Sequence, residues 1–433
     1  MFKEKAKVKD TLTKVGEEVT VCGWVDTIRD HGKVAFIDLR DASGIIQVVF
    51  YGDNYSKIKD LGPEYFIKIV GSIKEREKNQ INENIETGKV ELDLKEIQIL
   101  SKADESPIPI SEKSGEVSLS KRLKWRWLDL RKPETRVIFK VWTELERGFR
   151  EYFEKEDYTQ VYTPSLMTSP SESGAEVFEV KYFDRKAYLA QSPQFYKQMA
   201  LAAGLEKVFM VGPVFRAEPS FTSRHMTEFT GWDFEISPIE SHLEVMSEEE
   251  GMLVTGFTKV KEKLGLNIQV PTVPFPKIPL REVKAILKKA GIKSEKDGDL
   301  SPEEEREICK IVKAEQNHDF VFVTNYPIET RPFYHMRFEE DKTLTKSFDL
   351  LYKGLEITTG AQREHRYEIL MKQAEAKKMP LKTLEGYFNF FKYGCPPHGG
   401  AGIGPGRIVM QMLDLSSVKE ATFLPRDVKR LTP

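Results

Sequence analysis

The chain has 433 residues but only three cysteines, which lie far apart in the sequence: Cys22, Cys309 and Cys395. They form no CxxC pair, which argues against a zinc site or a disulfide framework and favours a reducing compartment. Long apolar runs are also lacking, since none approaches the roughly 20 residues of a membrane-spanning helix. The N-terminal stretch MFKEKAKVKD has no apolar signal region. We therefore expect a cytoplasmic protein with no membrane partner.

A strong excess of charge of either sign is missing as well, because the net charge is −2. The overall charge thus gives no sign of a nucleic-acid partner, and any RNA binding must come from local patches. A hydrophobic content of 40% and a charged content of 31% are typical of a globular protein. The length predicts roughly two to four domains.

Residues 1–102 contain short β-rich segments separated by turn signals. About five strands in roughly 100 residues predict a small closed barrel, with the OB-fold as the leading candidate. Barrels of this kind bind single-stranded nucleic acid by stacking bases on exposed aromatic rings. Phe36 lies between Ala35 and Ile37, so the sequence leaves open whether its ring faces the barrel core or the outside.

Residues 103–132 form a predicted hinge, because the stretch ADESPIPISEKSGEVSLS is rich in Ser, Pro and Glu. The run KRLKWRWLDLRKPETR follows, with its basic residues clustered around two tryptophans. A solvated helix start is the commoner explanation of such a run. Contact with an RNA backbone is the alternative.

The stretch 208–236, VFMVGPVFRAEPSFTSRHMTEFTGWDFEI, predicts two strands joined by a charged loop. In the second strand, alternation places Phe229, Gly231, Asp233 and Glu235 on one face and an apolar set on the other. This face lies beside a loop with three cationic or titratable groups: Arg216, Arg224 and His225. The combination suits a flat base on Phe229 with phosphates held by arginines. A buried hairpin with a salt-bridged loop is the alternative.

A helix is predicted to start at Pro133. It carries an apolar stripe with i+4 spacing, formed by Val137, Val141, Leu145, Phe149 and Phe153. The strand DYTQVYTPSLM follows and is interrupted by a proline. Over residues 240–317 the pattern predicts peripheral helices with solvated charges and no recognisable chemistry.

The string QSPQFYK predicts a helix start, with Ser192 as N-cap and Pro193 at the first position. Gln194, Lys197 and Gln198 then share one face. A cation near a helix N-terminus is mildly unfavourable. Lys197 therefore indicates a role beyond the helix itself.

The stretch TKSFDLLYKGLEITTGAQREHR begins with a predicted strand that ends at TTG, with Glu356 and Thr358 on one face. The charged cluster after it, residues 363–366, is either functional or a surface turn with paired charges. In YGCPPHGGAGIGPGRIVMQMLDL a Gly-rich turn opens a helix, but its spacing is not that of the dinucleotide fingerprint.

Together these segments resemble the class II aminoacyl-tRNA synthetases of subclass b, the aspartyl, asparaginyl and lysyl group. FRAE, RHMTEF and DFE resemble motif 2, and the helix and strand after Pro133 resemble motif 1. GIGPGR resembles motif 3, with Gly406 in place of the usual glutamate. QSPQFYK and QREHR are similar to the aspartyl members, and the lack of the large bacterial insertion resembles their shorter archaeal or eukaryotic-like type. The resemblance spans essentially the whole chain.

The resemblance implies an α+β fold with an OB-fold anticodon-binding barrel over residues 1–102 and a hinge over 103–132. The class II catalytic domain would cover 133–433, as an antiparallel sheet flanked by helices with a helical insertion at about 240–317. Motif 1 implies a homodimer.

The implied reaction is the ATP- and Mg²⁺-dependent activation of L-aspartate to aspartyl-adenylate, followed by transfer to the 3′ end of tRNA-Asp. Charging of tRNA-Asn as well stays open, and Asp26 departs from the patterns of the family. The alternatives are an asparagine–tRNA ligase and a catalytically silent tRNA-binding paralogue. Lys197 and Arg363 only donate hydrogen bonds, which favours a carboxylate substrate over an amide.

The resemblance also implies the site residues. The catalytic residues would be Arg216, Glu356 and Arg407, the Mg²⁺ ligands Glu356 and Thr359, and the anticodon contacts Phe36 and Gln47. The aspartate ligands would be Glu172, Gln194, Phe195, Tyr196, Lys197, Arg216, Asp233, Thr359 and Arg363. The ATP ligands would be Arg216, Ala217, Glu218, Arg224, His225, Met226, Phe229, Glu356, Gly404, Pro405, Gly406 and Arg407.

Overall fold

The computed structural model describes residues 5–110, 117–170 and 176–432. The chain divides into two compact units, Met1–Pro133 and Glu134–Pro433. Within the described ranges, every helix is too short or too polar to pass through a lipid bilayer. The three cysteines are free thiols and all are buried.

The first unit contains a closed five-stranded barrel in the order β1-β2-β3-β5-β4, which confirms the predicted barrel. Its strands are β1 (Glu18–Asp30), β2 (Val34–Arg40), β3 (Ile45–Tyr51), β4 (Phe66–Glu75) and β5 (Val90–Ser101). Apolar side chains alternate into the barrel, because successive residues of a strand point to opposite faces. Two short helices, α1 (Leu119–Lys124) and α2 (Arg126–Asp129), follow the barrel in the chain.

Phe36 lies on the outer face of the barrel. Its neighbours Ala35 and Ile37 are fully buried in the barrel core, so the ring of Phe36 points the other way and is half-buried. It makes an edge contact with His31 at 5.8 Å between ring centroids. The Phe36 ring therefore faces the outside of the barrel and not its core, which the sequence alone left open.

Two charged groups that the sequence singled out form ion pairs within the first unit. The carboxylate of Asp26 accepts a hydrogen bond from Nε of the buried Arg40 at 2.8 Å, and Arg40 also pairs with Glu64. In the basic run, Arg126 is fully buried and donates to Asp129 at 2.8 Å. Part of this run therefore stabilises its own fold, because a buried guanidinium needs a partner.

The second unit is built on an eight-stranded sheet in the order β12-β13-β14-β15-β16-β11-β10-β6. A separate three-stranded sheet has the order β7-β9-β8. The strands are β6 (Thr159–Gln160), β7 (Leu166–Met167), β8 (Glu179–Tyr182), β9 (Arg185–Leu189), β10 (Lys207–Phe215), β11 (Glu228–Ile236), β12 (Lys277–Pro279), β13 (Phe320–Thr324), β14 (Ser347–Tyr352), β15 (Leu355–Gln362) and β16 (Gly399–Ile403). The helices are α3 (Pro133–Lys155), α4 (Gln194–Ala202), α5 (His242–Leu264), α6 (Leu280–Lys289), α7 (Pro302–Gln316), α8 (Tyr367–Ala376), α9 (Glu385–Asn389) and α10 (Pro405–Met412).

The predicted α+β class with a mainly antiparallel sheet is confirmed, although the outermost pairs β12–β13 and β10–β6 are parallel. The predicted hairpin is β10 and β11, paired from Lys207–Ile236 to Phe215–Glu228. Trp232, Phe234 and Ile236 lie in the main core, as the alternation predicts. The strand expected around Pro164 is reduced to the two-residue strands β6 and β7, because proline removes a ladder donor.

Two expectations about the second unit were wrong. The segment TTG does not end a strand, since β15 continues to Gln362. The helices of residues 240–317 are not all peripheral, because α5 places Met252, Leu253 and Phe257 in the main core. Several of their charges are buried rather than solvated, namely those of Glu249, Glu250, Glu304 and Glu305.

Candidate active site

A cavity of about 640 Å³ lies in the second unit between β11, β15, β16 and the loops around them. Most of the predicted site residues line it: Gln194, Lys197, Arg216, Glu218, Arg224, His225, Met226, Phe229, Asp233, Glu356, Thr359, Arg363, Gly404, Gly406 and Arg407. The volume suits a nucleotide-sized ligand. Residues from widely separated segments thus meet in one place.

Among the described residues predicted for this site, Phe195, Tyr196, Ala217 and Pro405 do not line the cavity. Phe195 packs against Tyr387 at 4.1 Å between ring centroids, and Tyr196 packs against the same apolar cluster. On a helix, adjacent residues point about 100° apart, so the neighbours of Lys197 face the core instead. Glu172 lies outside the described residues.

Lys197 is almost fully buried at the floor of the cavity. Its ammonium donates to Asp233 Oδ2 at 2.8 Å and to the carbonyl oxygen of Ala401 at 3.1 Å. It also pairs with Glu235 Oε2 at 3.2 Å. The ammonium group thus donates two hydrogen bonds and forms a further ion pair within the protein.

Arg363 lies beside Lys197 and shares Glu235 with it. The Nε group of Arg363 donates to Glu235 Oε1 at 2.8 Å, and Nη2 donates to the carbonyl oxygen of Gly400 at 2.8 Å. Burial acts to raise the pKa of Glu235, but the charges of Arg363 and Lys197 prevail and lower it. Glu235 is therefore a carboxylate that holds both cations in place.

His335 also contacts Arg363, although no sequence pattern pointed to it. Nη1 of Arg363 lies 3.0 Å from Nε2 of His335. Because a guanidinium only donates, Nε2 accepts and the neutral ring carries its proton on Nδ1. Burial, together with the charge of Arg363, holds the pKa of His335 below its usual value. Among the described residues, Nδ1 of His335 and Nε2 of Gln194 have no hydrogen-bond partner.

These contacts change the argument for a carboxylate substrate. The sequence suggests two cations that await a substrate carboxylate. In the structure, Asp233 and Glu235 already neutralise Lys197 and Arg363. A carboxylate that entered this end of the cavity would therefore meet cations that are already paired.

The loop between β10 and β11 supplies the cationic side of the cavity. The guanidinium carbon of Arg216 lies 5.6 Å from the centre of the Phe229 ring. Burial and the charges of Arg407, Arg224 and Arg216 lower the pKa of His225 to about 4. This concentration of positive charge suits a polyphosphate.

A β-bulge determines which groups of β15 reach the cavity. The register changes between the pairs Leu350–Thr358 and Leu351–Glu356. One extra residue reverses the alternation, so Glu356 and Thr359 line the cavity, whereas Thr358 is buried elsewhere. The expectation that Glu356 and Thr358 share a functional face was wrong for this reason.

Asp349 contacts Thr359, and Arg331 contacts Asp349. The sequence singled out neither residue. The Thr359 hydroxyl lies 2.9 Å from Asp349 Oδ1 and 3.3 Å from Glu356 Oε1. Both oxygens of Asp349 accept hydrogen bonds from Arg331, at 2.9 and 2.6 Å. The signal for Asp349 was its place in FDL, on the strand paired with β15.

The described residues contain no group of three or more His, Cys, Asp or Glu side chains that could hold a metal. Mg²⁺ needs fewer protein ligands, because it keeps several waters and takes phosphate oxygens from a nucleotide. Glu356, Thr359 and Asp349 offer the hard oxygen atoms that Mg²⁺ prefers. The residues present therefore fit the ion.

Arg407, near the start of α10, closes the cavity beside Glu356. Its Nη1 donates to the carbonyl oxygen of Glu356 at 2.7 Å. At Gly406, a Cβ atom would lie 3.3 Å from Val418 and 3.5 Å from Trp142. Both of these side chains line the cavity, so the space of the missing glutamate is bordered by apolar groups.

Comparison with known proteins agrees with this geometry. The family described as tRNA synthetases class II (D, K and N) matches residues 118–428, and an OB-fold nucleic acid binding domain matches residues 19–100. The chain is 43% identical to an Aspartate--tRNA(Asp/Asn) ligase of Aeropyrum pernix, over 97% of this chain and 96% of the relative. It is 37% identical to an Aspartate--tRNA(Asp) ligase of Pyrococcus abyssi, over 96% of this chain and 97% of that one.

Solved structures lead to the same family. The chain is similar to asparaginyl-tRNA synthetase from Pyrococcus horikoshii complexed with asparaginyl-adenylate, with a TM-score of 0.90, 31% identity and full coverage of both chains. It is similar to a putative aspartyl-tRNA synthetase from Leishmania major, with a TM-score of 0.88 and 29% identity over 100% of this chain and 96% of that one. The predicted family is thereby confirmed: this chain belongs to the class II tRNA synthetases of the D, K and N group, ligases that form aminoacyl-tRNA.

Proposed function

We propose that the chain is an aspartate–tRNA ligase that activates L-aspartate with ATP and transfers it to tRNA-Asp and tRNA-Asn. The observation that carries the amino-acid assignment is the buried group of Lys197, Arg363, Glu235 and Asp233 at the end of the cavity. Relatives named aspartate--tRNA ligases at 43%, 39% and 37% identity support it.

The side-chain carboxylate of the substrate replaces Asp233 at Lys197 in this proposal. Asp233 is the more exposed of the two carboxylates, whereas Glu235 is fully enclosed. Released from Lys197, Asp233 accepts hydrogen bonds from the α-ammonium group of the substrate. The unpartnered N–H groups of Gln194 and His335 are donors for the remaining oxygens. Burying a donor without a partner is costly, so a ligand with several acceptor oxygens is favoured.

The nucleotide occupies the other half of the cavity. Its base stacks on Phe229, with Arg407 on the opposite side, and its phosphates are bound by Arg216, Arg224 and His225. Displacement of Arg216 from the Phe229 ring brings its charge to the α-phosphate. The shared lining of one cavity and the cationic loop support this arrangement.

The first reaction step needs positioning more than acid–base catalysis. The substrate α-carboxylate is already a nucleophile at the α-phosphorus, and pyrophosphate leaves with the electrons of the broken P–O bond. Arg216 stabilises the charge that develops on the α-phosphate. When Mg²⁺ is bound through Glu356, Thr359 and Asp349, it neutralises charge on the phosphates. In the second step a ribose hydroxyl at the tRNA 3′ end attacks the acyl carbon and AMP leaves.

ATP–pyrophosphate exchange with aspartate or asparagine tests the assignment. We expect exchange to depend on aspartate and to be at least 10³-fold weaker with asparagine, because sites with buried polar partners discriminate by roughly 10⁴. Preference for asparagine would favour the asparagine–tRNA ligase alternative, which the similarity to the Pyrococcus horikoshii enzyme supports. No exchange with either amino acid would favour a silent paralogue.

The tRNA assignment rests on the relatives. The two at 43% and 39% identity, from Aeropyrum pernix and Methanopyrus kandleri, carry names with both tRNA-Asp and tRNA-Asn, whereas the Pyrococcus abyssi relative carries tRNA-Asp alone. Aspartylation of transcripts of both tRNAs tests the point. Failure with tRNA-Asn would restrict the proposal to tRNA-Asp.

The remaining parts of the proposal concern assembly and location. The barrel binds the anticodon through Phe36 and Gln47 on its outer face.

The enzyme is a homodimer, supported by the exposed apolar side chains of Tyr162 and Leu166 after α3. Its three free thiols suit a reducing cytoplasm. Light scattering tests the dimer, and a monomer at micromolar concentration would contradict it.

A further inference from the structure

Helix α7 carries a buried carboxylate that contacts the cationic loop beside the cavity, although its sequence gave no sign of chemistry. Glu305 is 4% exposed. One of its oxygens, Oε2, accepts a hydrogen bond from Arg224 Nη1 at 2.7 Å and lies 3.3 Å from the backbone nitrogen of Glu356. Glu305 therefore joins the β10–β11 loop to the strand that carries Glu356.

The contact with Glu305 restricts Arg224, which has a long side chain on a loop and would otherwise adopt several rotamers. An arginine loses rotamer freedom when it is fixed on a ligand. A partner that fixes it beforehand removes that loss from the binding step. Glu305 engages Nη1, which leaves further N–H donors on the guanidinium of Arg224, a residue that lines the cavity.

We propose that Glu305 is a positioning residue for ATP, which holds Arg224 at the cavity wall in the orientation that receives the phosphates. This role rests on the proposed function, in which Arg224 is a phosphate ligand. Glu305 itself does not line the cavity. Its effect on the nucleotide is therefore transmitted through Arg224 and through the backbone at Glu356.

A double-mutant cycle in ATP–pyrophosphate exchange tests the proposal. The four proteins are the unmodified enzyme, Glu305→Gln, Arg224→Gln and the double variant. Glutamine keeps the size of the buried side chain but weakens the charge-assisted bond. We expect Glu305→Gln to raise the KM for ATP roughly tenfold. The KM for aspartate should stay within about twofold, because the described hydrogen bonds and ion pairs of Lys197 and Arg363 are made with elements other than α7.

The cycle separates positioning from a structural role. If Glu305 acts through Arg224, the double variant has the same KM for ATP as Arg224→Gln alone. Additive effects, or an equal rise in the KM for aspartate together with a lower melting temperature, would overturn the proposal. Glu303→Gln is the matched control, since Glu303 lies exposed on the same helix turn. It should leave both KM values unchanged.

Measurements of ATP binding distinguish a failure of this proposal from a failure of the proposed function. Absence of exchange in the unmodified enzyme would contradict the aspartate–tRNA ligase assignment. The same four proteins would still give Kd values for ATP alone, and the same loss of additivity would support the role of Glu305. Unchanged ATP affinity in Glu305→Gln, with Arg224→Gln weakened, would refute it.

Discussion

The two cations at the end of the cavity differ from an empty anion site, because each is already paired. Lys197 donates to Asp233 and to the carbonyl oxygen of Ala401, and Glu235 forms ion pairs with both Lys197 and Arg363. The charges of these cations and of Asp233 and Glu235 therefore sum to about zero at this end of the cavity. In the proposed function, a substrate carboxylate competes with Asp233 for Lys197, which would link amino-acid binding to a rearrangement of the site.

Replacing Lys197 by leucine should abolish most aspartate activation while ATP still binds. The substrate carboxylate loses its cation, and Glu235 loses one of its two partners. Removing one partner of a buried ion pair costs about 3–5 kcal/mol, so we also expect a lower melting temperature. Pyrophosphate exchange measures activation, and Kd for ATP in the absence of aspartate is the control. An unchanged dependence on aspartate would remove Lys197 from the site.

Glu249 on α5 should destabilise the protein at neutral and alkaline pH. Burial raises its pKa to about 8, and the charges of Glu250 and Asp349 act in the same direction. A carboxyl with a raised pKa binds its proton more tightly when folded, so stability falls as the pH rises from about 4.5 to about 8. At pH 7 the loss is on the order of 3 kcal/mol.

Glu249→Gln removes this ionisation and should raise the melting temperature at pH 8 more than at pH 5. Thermal unfolding at both pH values, without nucleotide or Mg²⁺, measures the difference. Glu303→Gln, on an exposed site, should show no such pH dependence. Equal shifts at the two pH values would mean that Glu249 is already ionised in the folded chain.

Sequence reasoning at the residue scale succeeded where local geometry is regular. Phe229 and Asp233 were placed on the cavity face because β11 alternates without interruption. Thr358 was misplaced because a bulge in β15 reverses the alternation. His335, Arg331 and Glu305 were missed because only the tertiary fold brings them to the cavity wall or to Arg224.

At the scale of elements, proline marked the start of α3 at Pro133 correctly, whereas α4 begins at Gln194, one residue later than predicted, with Pro193 and not Ser192 as its N-cap. Ser241 and Ser301 form the capping boxes of α5 and α7 with Glu244 and Glu304. The same signals do not show where a helix packs. The acidic run of α5 looks solvated in sequence, yet the helix crosses α3 in the core, where close approach depends on glycine.

Gly148→Ala should destabilise the protein even though alanine is the better helix former. A methyl group on Gly148 in α3 would lie 2.6 Å from Cα of Gly256 and 2.9 Å from the carbonyl oxygen of Thr255 in α5. Overpacking typically costs about 1–3 kcal/mol, against a gain of about 1 kcal/mol in helix propensity. Denaturant unfolding measures the net change.

Gly386 in α9 provides a matched control, because no atom lies within 4 Å of a Cβ placed there. Gly386→Ala should leave stability unchanged or raise it by up to about 1 kcal/mol. A more stable Gly148→Ala protein would show that α3 and α5 can move apart at little cost.

At the scale of the whole molecule, the two units carry separable parts of the proposed reaction. The described residues that line the cavity belong to the second unit. On the barrel, Gln47 accepts from Arg29 at 3.1 Å and donates to Glu91 at 3.0 Å, on the strand next to that of Phe36. The division follows from sequence because barrel strands and catalytic motifs occupy different stretches of the chain.

Phe36→Ala should therefore raise the KM for tRNA without changing amino-acid activation. Loss of one base–aromatic stack costs about 1–3 kcal/mol, which corresponds to roughly 5- to 150-fold in binding. Phe36→Tyr keeps a stacking face and should restore most of the affinity. Aspartylation kinetics measure the KM for tRNA, and pyrophosphate exchange without tRNA should be the same for all three proteins. If Phe36→Ala slowed the exchange reaction as well, the barrel would affect the catalytic unit directly, and the separation of the two roles would be wrong.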